Sequence, residues 1–555
     1  MTSREPTSDS EPGLGPRRLD AQRLGYLPQR SVKWLAPGTL ADTALRLLGA
    51  QSFGAYLDKR ELLSFYPQGV FDYSERSEIG LDYVADLGDG FNATYSIAHL
   101  LAQPKLHLSN SGEPLPGGEV LVMGGDEVYP AANWREYDNR TRGPYTTANP
   151  AENRDLFAVP GNHDWFDGLT AFSRLFLQRR HFGRWITRQT RSYFTLKLPH
   201  RWWLMAIDGG FDSRLDPPQL AYFRKCAAGI QPGDHVILCV PQPAWVWTED
   251  DRQAFDRIDF FIDEIIRPRR ARVPLILTGD RHHYARYQED LPRDRGRPRH
   301  LITAGGGGGY LSPTHNLPVH ITAPPPSSIG HTGSLPRDYT LKSAYPTMRR
   351  SWRYGFGIFG RLPWRNKSFV LFIGVVQLLA VVAVLQGVGT TVTCAAVLIS
   401  VGIAFAHSTG PRKVKHYVLG VLHGAAQTAL AVAGASVLEG FPVGGAWPYV
   451  GYIPVGGLAA TWLVGFYLLV ANRFGVNANE LFAGLSVIDS KCFLRLKLNE
   501  NGLTVHPIGV DRSARKWKWN VPTSSSPSRL LPAQPIRARH IEEPVTIPHP
   551  RPSSK

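Results

Sequence analysis

Four long apolar segments, at about 369–388, 391–407, 417–438 and 449–471, set the strongest limit on what this chain can fold into. Each is close to the ~20 residues that cross a bilayer as a helix, and four in succession do not fit inside a soluble core. The second is the shortest. A basic stretch from Met348-Arg349-Arg350 to Arg365-Asn366-Lys367 precedes the first segment. Arg412-Lys413-Val414-Lys415-His416 lies between the second and third, and Arg473 follows the fourth. The connections after the first (Gly389-Thr390) and third (439–448) hold no Lys or Arg. The positive-inside rule therefore predicts a multi-pass membrane protein with both flanking soluble regions, and both termini, cytoplasmic. Inside the segments only His423 is ionisable, with His407 at an end, which favours an anchor over a transport path. Gly420 and Gly424 form a small-xxx-small pair, either a helix-packing face or ordinary glycine in a Gly/Ala-rich span.

At 555 residues the chain is too long for one core. Its net charge of +16 gathers beside the apolar segments, so the implied partner is a lipid bilayer and no nucleic acid is indicated. Four scattered cysteines give neither a disulfide framework nor a zinc knuckle. Residues 1–33 are polar, without the apolar run of a signal peptide, and read as a disordered arm. Residues 34–323 alternate short apolar runs with amphipathic stretches, the pattern of an α/β domain. A Pro/Ser-rich, then basic connector covers 324–368 and the four spans 369–472. In 473–520 an alternating run with Asn501-Gly502 predicts a hairpin, too small to stand alone and expected to pack on the α/β domain. Residues 521–555 read as a disordered tail.

Chemistry concentrates in the α/β region. Asp86-Leu87-Gly88-Asp89, Gly125-Asp126-Glu127-Val128-Tyr129, Gly161-Asn162-His163-Asp164 and Gly279-Asp280-Arg281-His282 each follow a short apolar run that reads as a buried strand. They should lie just past the carboxyl ends of strands, where α/β sheets bind ligands. Oxygen donors, an amide and histidines gathered there suit a metal pair that activates water. Taken singly, each aspartate could be a turn residue and His163 a hydrogen-bonded loop histidine. The glycine run 305–309 lacks the Gly-Lys-Ser/Thr of a P-loop and reads as a tight loop at the crevice rim. Trp202, Trp203, Trp245 and Trp247 read as core, His315 as a surface histidine, and Asp208 as a turn or supporting residue. Arg281 faces either a ligand in the crevice or a neighbouring acid.

The ordered set resembles the calcineurin-like metallophosphoesterases, and its Asp-x-Gly plus Gly-Asp-x-x-Tyr form is similar to the purple acid phosphatase branch. The resemblance spans Asp86 to His282 and leaves out the membrane block and tail. It implies an α/β fold, a β-sandwich flanked by helices, here with a four-helix transmembrane block inserted near the C-terminus. It implies hydrolysis of a phosphate mono- or diester by metal-activated hydroxide, with two metal ions drawn from iron, manganese, zinc or magnesium. Asp126 would bridge them. Asp86, His282 and Tyr129 would complete the first site, Tyr129 replacing the histidine absent at Gly88, with Asp89 a competing replacement. Asn162 and Asp280 would serve the second. There the pattern departs from the family: Asp280 and Pro241 stand where histidines are expected, with Gln242 adjacent and His283 another candidate. His163 is the implied acid, with Asp164 orienting its ring. The rival reading is a non-catalytic metal-binding or signalling module that retains the fold.

Overall fold

Short, wholly buried apolar runs such as Val120–Met123, His235–Cys239 and His300–Ala304 build two nine-stranded sheets. Burial on both faces explains why these runs are continuous rather than alternating, as parallel strands require. The computed structural model describes residues 13–549 apart from 58–59, 61–64, 210–214, 248–252, 292–296, 327, 329–334, 406–413 and 442–444. The basic pair Arg412-Lys413 and part of the expected Pro/Ser connector lie outside these residues.

In one sheet Ile79–Val84, Val120–Met123, Arg154–Ala158 and Trp185–Thr187 run parallel. In the other, Trp202–Ala206, His235–Cys239, Arg272–Thr278 and His300–Ala304 do the same. The sheets face each other across a core that includes Tyr83, Val122, Leu204, Ile237, Leu275 and Leu494. The Phe91–Ala102 helix covers one outer face and the Pro217–Ala227 helix the other. The result is a mixed α/β sandwich with helices outside.

The helical block is inserted into this sandwich. After it, Lys491–Asn499 pairs antiparallel with Ile79–Val84, and Gly502–Val510 completes a hairpin. The register pairs Asn499 with Gly502, so the turn is Glu500-Asn501, one residue earlier than the Asn501-Gly502 signal suggests. Arg495 closes the pairing: its Nε donates to Asp82 Oδ1 at 2.7 Å and its Nη2 to Oδ2 at 3.1 Å. Both side chains are almost wholly buried, at 3% and 1% exposure.

Three helices, Lys367–Leu385, Val414–Glu439 and Trp447–Arg473, are long and apolar enough to cross a membrane. The second expected span is not among these three, and the residues directly after Phe405 lie outside the described ones. Gly389–Phe405 has 17 described helical residues, about 26 Å of helix against a hydrocarbon core of about 30 Å. The alternatives at Gly420 and Gly424 resolve to a packing face: a Cβ at either would stand 2.6 Å from the backbone of Val401 or Val397. Gly374 and Gly457 bring Lys367–Leu385 and Trp447–Arg473 together in the same way.

Two segments expected to be disordered are ordered where described. Leu19, Leu24, Tyr26 and Val32 of the arm are buried. Leu14 exchanges two backbone hydrogen bonds with Trp517, each 2.8 Å. In the tail, Ala538–His540 and Val545–Ile547 pair with Gly502–Val510. Composition misleads here because each apolar residue fills a separate gap, so neither segment shows periodicity. The connector is likewise not featureless: Arg337–Tyr345 is a strand paired with Tyr284–Glu289.

Arg495→Ala leaves the Asp82 carboxylate buried and unpaired, and should cost about 3–5 kcal/mol. Thermal unfolding in detergent should register this as a clear drop in Tm, largely recovered in the Arg495→Met, Asp82→Leu double variant. A loss below about 1 kcal/mol would show that the sheet closes without the pair.

Candidate metal centre

Asp86, Asp126 and Asp280 each lie two or three residues past a parallel strand, and each adopts a left-handed backbone, with φ of 60°, 53° and 65°. Aspartate tolerates that conformation better than most residues, and here it turns the chain sharply out of the sheet. Two of the carboxylates reach one atom. Tyr129 Oη stands 3.3 Å from Asp86 Oδ1, 3.1 Å from Asp126 Oδ2 and 2.8 Å from His282 Nε2. The third is tied in through the backbone: Asp280 N–H donates to Asp86 Oδ1 at 3.0 Å.

The two histidines are oriented alike. His282 Nδ1 lies 2.6 Å from the Tyr310 carbonyl, and His163 Nδ1 lies 2.7 Å from that of Pro130. A carbonyl only accepts, so Nδ1 carries the proton in both rings, and Nε2 of His282 is left as a lone-pair donor. Metal-ligating histidines are commonly fixed in this way. Burial, reinforced by Lys491, pushes His282 well below the ordinary histidine value and keeps it neutral.

The carboxylates are crowded. Burial raises Asp86 well above the usual range, with Asp126 and Asp280 adding to it. Burial pushes Asp126 up to about 6, with His163 opposing and Asp164 adding. Asp280 is also pushed up to about 6 by burial, with Arg281 opposing. Burial and the same aspartates hold Tyr129 well above the ordinary phenol value.

Among the described residues, no three His, Cys, Asp or Glu side chains already form a metal-binding group. The tyrosine hydroxyl stands between them instead. The donor set nevertheless fits a cation. Asp86 Oδ2 is buried with no hydrogen-bond partner among the described residues. Two carboxylates and a neutral imidazole meet at the Tyr129 hydroxyl with the Asp280 carboxylate adding to the repulsion, which a positive charge would relieve. The backbone also keeps space there: a Cβ on Gly305 would fall 1.8 Å from Asp86 Oδ2. Asp86, Asp126, Tyr129 and His282 fit one ion. The second place is poorer in donors, with Asn162 on the cleft wall and Gln242 Nε2 3.4 Å from Asp280 Oδ1.

These residues open on a cleft of about 810 Å³. Asp126, Tyr129, Asn162, His163, Asp280 and His282 all line it. Several wall residues carry no motif. Trp34, from the segment after the arm, stands edge-on to Tyr129, His163 and Tyr310, with ring centroids 5.4–5.8 Å apart. Arg257 lines the wall, its charge disfavoured by burial so that its pKa falls to about 10. Arg281 also lines it, with Nη1 held 3.0 Å from Asn479 Oδ1 and its guanidinium over Trp247. Arg281 belongs to the Gly279–His282 motif and Tyr310 follows the glycine run, whereas Trp34 and Arg257 had no sequence signal.

Other expectations change. Asp164 does not hold the His163 ring; its carboxylate accepts from the backbone of Gly161 and Glu127 and from the Tyr137 hydroxyl. A carboxylate placed directly after His163 is drawn into the loop by the unpaired N–H groups nearby. Asp89 is not a ligand candidate either, since it accepts from Val32 N–H at 3.0 Å with Arg140 and Lys491 as neighbouring charges. His283 is buried and does not line the cleft. Trp247 lines the cleft rather than the core, while Trp202, Trp203 and Trp245 are buried. His315 is half-buried and held between Ser351 and Asn472. Asp208 accepts from Trp165 and Ser192 as a buried supporting group.

No family model matches this chain, and no curated protein matches it. Among solved structures, a purple acid phosphatase isolated from yellow lupin (Lupinus luteus) seeds aligns at 14% identity with a TM-score of 0.29. The alignment covers 43% of this chain and 46% of that one, so the chain spans under half of the length of that structure. A likeness this distant carries no argument about function.

The raised carboxyls predict a pH dependence. A carboxyl whose folded pKa lies above its unfolded value binds its proton more tightly when folded. Its stabilisation is complete below about 3.8 and lost as pH rises through about 6. Chelator-treated protein should therefore unfold at a higher temperature at pH 5 than at pH 7, and Asp280→Asn should show a smaller rise. An identical rise in wild type and variant would contradict this assignment.

Proposed function

We propose that this chain is a metal-dependent phosphoesterase that hydrolyses a phosphate mono- or diester while held at a membrane. One observation carries the reading: Asp86, Asp126 and His282, from strand ends of both sheets, meet at the Tyr129 hydroxyl on the floor of a cleft that also holds His163 and two arginines. Asp86, Asp126, Tyr129 and His282 would hold one ion; Asp126, Asn162 and Asp280 would hold the second more weakly. Bound there, such ions neutralise phosphate oxygens and acidify water. The chain's own groups do the rest. Arg257 and Arg281 orient the phosphate by charge and hydrogen bonding. His163, its Nδ1–H fixed on Pro130, presents Nε2 to the leaving oxygen and, as the imidazolium, gives it a proton. The aromatic wall of Trp34, Tyr129 and Tyr310 limits water on that side.

The apolar helices anchor the enzyme as a multi-pass membrane protein, with the sandwich and both termini cytoplasmic. The basic residues Arg365, Lys367, Lys415 and Arg473 support that orientation, since all lie at the helix ends nearest the sandwich. A second reading, a non-catalytic metal-binding module, is favoured by Pro241 and Asp280 in place of donor histidines.

Elemental analysis with a phosphomonoester and phosphodiester panel separates the two. Two ions per chain with turnover support the enzyme; one or none without turnover supports the module. Asp126→Asn should lose bound metal and hydrolysis of an aryl phosphate together, and retained activity would overturn the assignment. His163→Ala should lower kcat by about 10²–10⁴-fold while leaving metal content unchanged. A parallel loss of metal would make His163 a ligand instead of the acid.

A further inference from the structure

The sandwich does not wall the cleft alone. His416, the third residue of the Val414–Glu439 helix, lines it. So do Val476, Asn477, Asn479 and Ala483, just past the Trp447–Arg473 helix. Two helices long and apolar enough to cross a bilayer therefore end at the wall of the candidate site. A third contribution comes from the Pro37–Leu57 helix, whose Leu40 and Thr43 line the cleft. That helix packs against both the Asp164–Asp167 turn and the Lys367–Leu385 helix, and turns Leu45 and Leu48 outward. The helical block itself is apolar on its outside, with Leu371, Leu379, Leu422, Val455 and Phe466 exposed.

The inner wall is different in chemistry. Trp34 Nε1, Thr43 Oγ1 and Arg257 Nε are buried with no hydrogen-bond partner among the described residues, and all three residues face the cleft. Buried donors without partners are rare in a finished structure and mark a place that a ligand's acceptors satisfy. Unsatisfied donors and a guanidinium inside, with helices apolar on their outer faces ending at the cleft wall, match an amphiphile with an anionic head and a long tail. A small water-soluble ester needs only the first half of that arrangement.

Resting on the phosphoesterase reading above, we propose that the substrate is a phosphate ester of a membrane lipid. Its headgroup enters the cleft while its chains stay in the bilayer beside the helix ends. For a monoester, the oxygen of water bonds to phosphorus as the bond from phosphorus to the lipid oxygen breaks. One water proton passes to the leaving oxygen, giving the lipid alcohol and inorganic phosphate. Binding of the chains, remote from the reacting atoms, supplies rate as well as affinity.

The test uses the full chain, metal-loaded, in mixed micelles and nanodiscs, with long-chain phosphatidate, glycerol 3-phosphate and p-nitrophenyl phosphate as substrates. The expected kcat/KM for phosphatidate exceeds that for glycerol 3-phosphate by roughly 100-fold or more. Leu45→Glu with Leu48→Glu should lower phosphatidate hydrolysis at least ~10-fold and leave p-nitrophenyl phosphate unchanged. Independently of turnover, a diazirine-bearing phosphatidate should label the cleft segments at 34–43 or 476–483. Aryl phosphate turnover with equal rates on phosphatidate and glycerol 3-phosphate overturns the lipid assignment alone. Labelling confined to the outer faces of the apolar helices overturns it as well. No turnover of any ester removes the phosphoesterase reading and this inference with it.

Discussion

Everything in this molecule hangs on the pairing of Ile79–Val84 with Lys491–Asn499, two strands separated by almost the whole chain. Asp86, the first residue of the candidate centre, sits directly beyond one of them. The other begins with Lys491 and Cys492, whose backbone N–H donates to Gly306 in the glycine loop. That loop passes Asp86 so closely that its Gly307 and Gly309 N–H groups bond Ala85 and Asp86 carbonyls at 2.9 and 2.8 Å. The strand that returns from the helical block therefore fixes the loop that fixes the site. A buried bidentate ion pair at Arg495 and Asp82 sets the register, and a one-residue slip would turn every core side chain of the strand outward. Loop closure over such a separation is entropically expensive only logarithmically, so the long insertion is tolerated.

The junction extends the same logic to the helices. Leu311, Ile358, Leu362, Tyr467, Leu468, Leu481 and Phe482 share one buried cluster. It joins the loop carrying Tyr310 to the end of the Trp447–Arg473 helix. Tyr310 in turn holds the His282 ring. Each acid at the centre is paid for by a specific arrangement nearby: left-handed aspartates, a histidine held neutral, and Lys491 buried with its ammonium on the Gly309 carbonyl. Buried like charges of this density are unfavourable without a counter-charge, and they gather where a cation or a reacting phosphate relieves them.

How much of this the sequence disclosed follows from what kind of signal each residue carries. Asp86, Asp126, Asn162, His163, Asp280 and His282 were legible because each follows a buried run, and strand ends of both sheets meet at one edge. Tyr129 entered only through the resemblance to the Gly-Asp-x-x-Tyr motif. Trp34 and Arg257 were not, because a lone aromatic beyond a polar arm and one arginine in an amphipathic stretch resemble any surface helix. Asp164 was misassigned because adjacency in sequence says nothing about which backbone groups compete for a carboxylate. The arm and tail were misread for a related reason. Leu14, Leu19, Leu530 and Ala538 pack singly against an existing core, and single contacts leave no period to detect. The apolar helical block was readable from hydropathy: three of its helices are long enough as described to cross a membrane, and Gly389–Phe405 is described over 17 residues.

A tether needs only a flexible link between anchor and enzyme. Here the link is absent: Asn479 holds Arg281, Asn472 bonds His315, and Lys415 donates to the Phe474 carbonyl at the foot of the helices. Separating the helices from the sandwich would remove a wall of the cleft, the partner of its arginine, and the strand that registers the first aspartate. On the reading proposed above, the basic residues at the helix ends would set the depth of the cleft against a bilayer, and that depth would decide which phosphate esters reach the floor where Asp86, Asp126 and His282 converge.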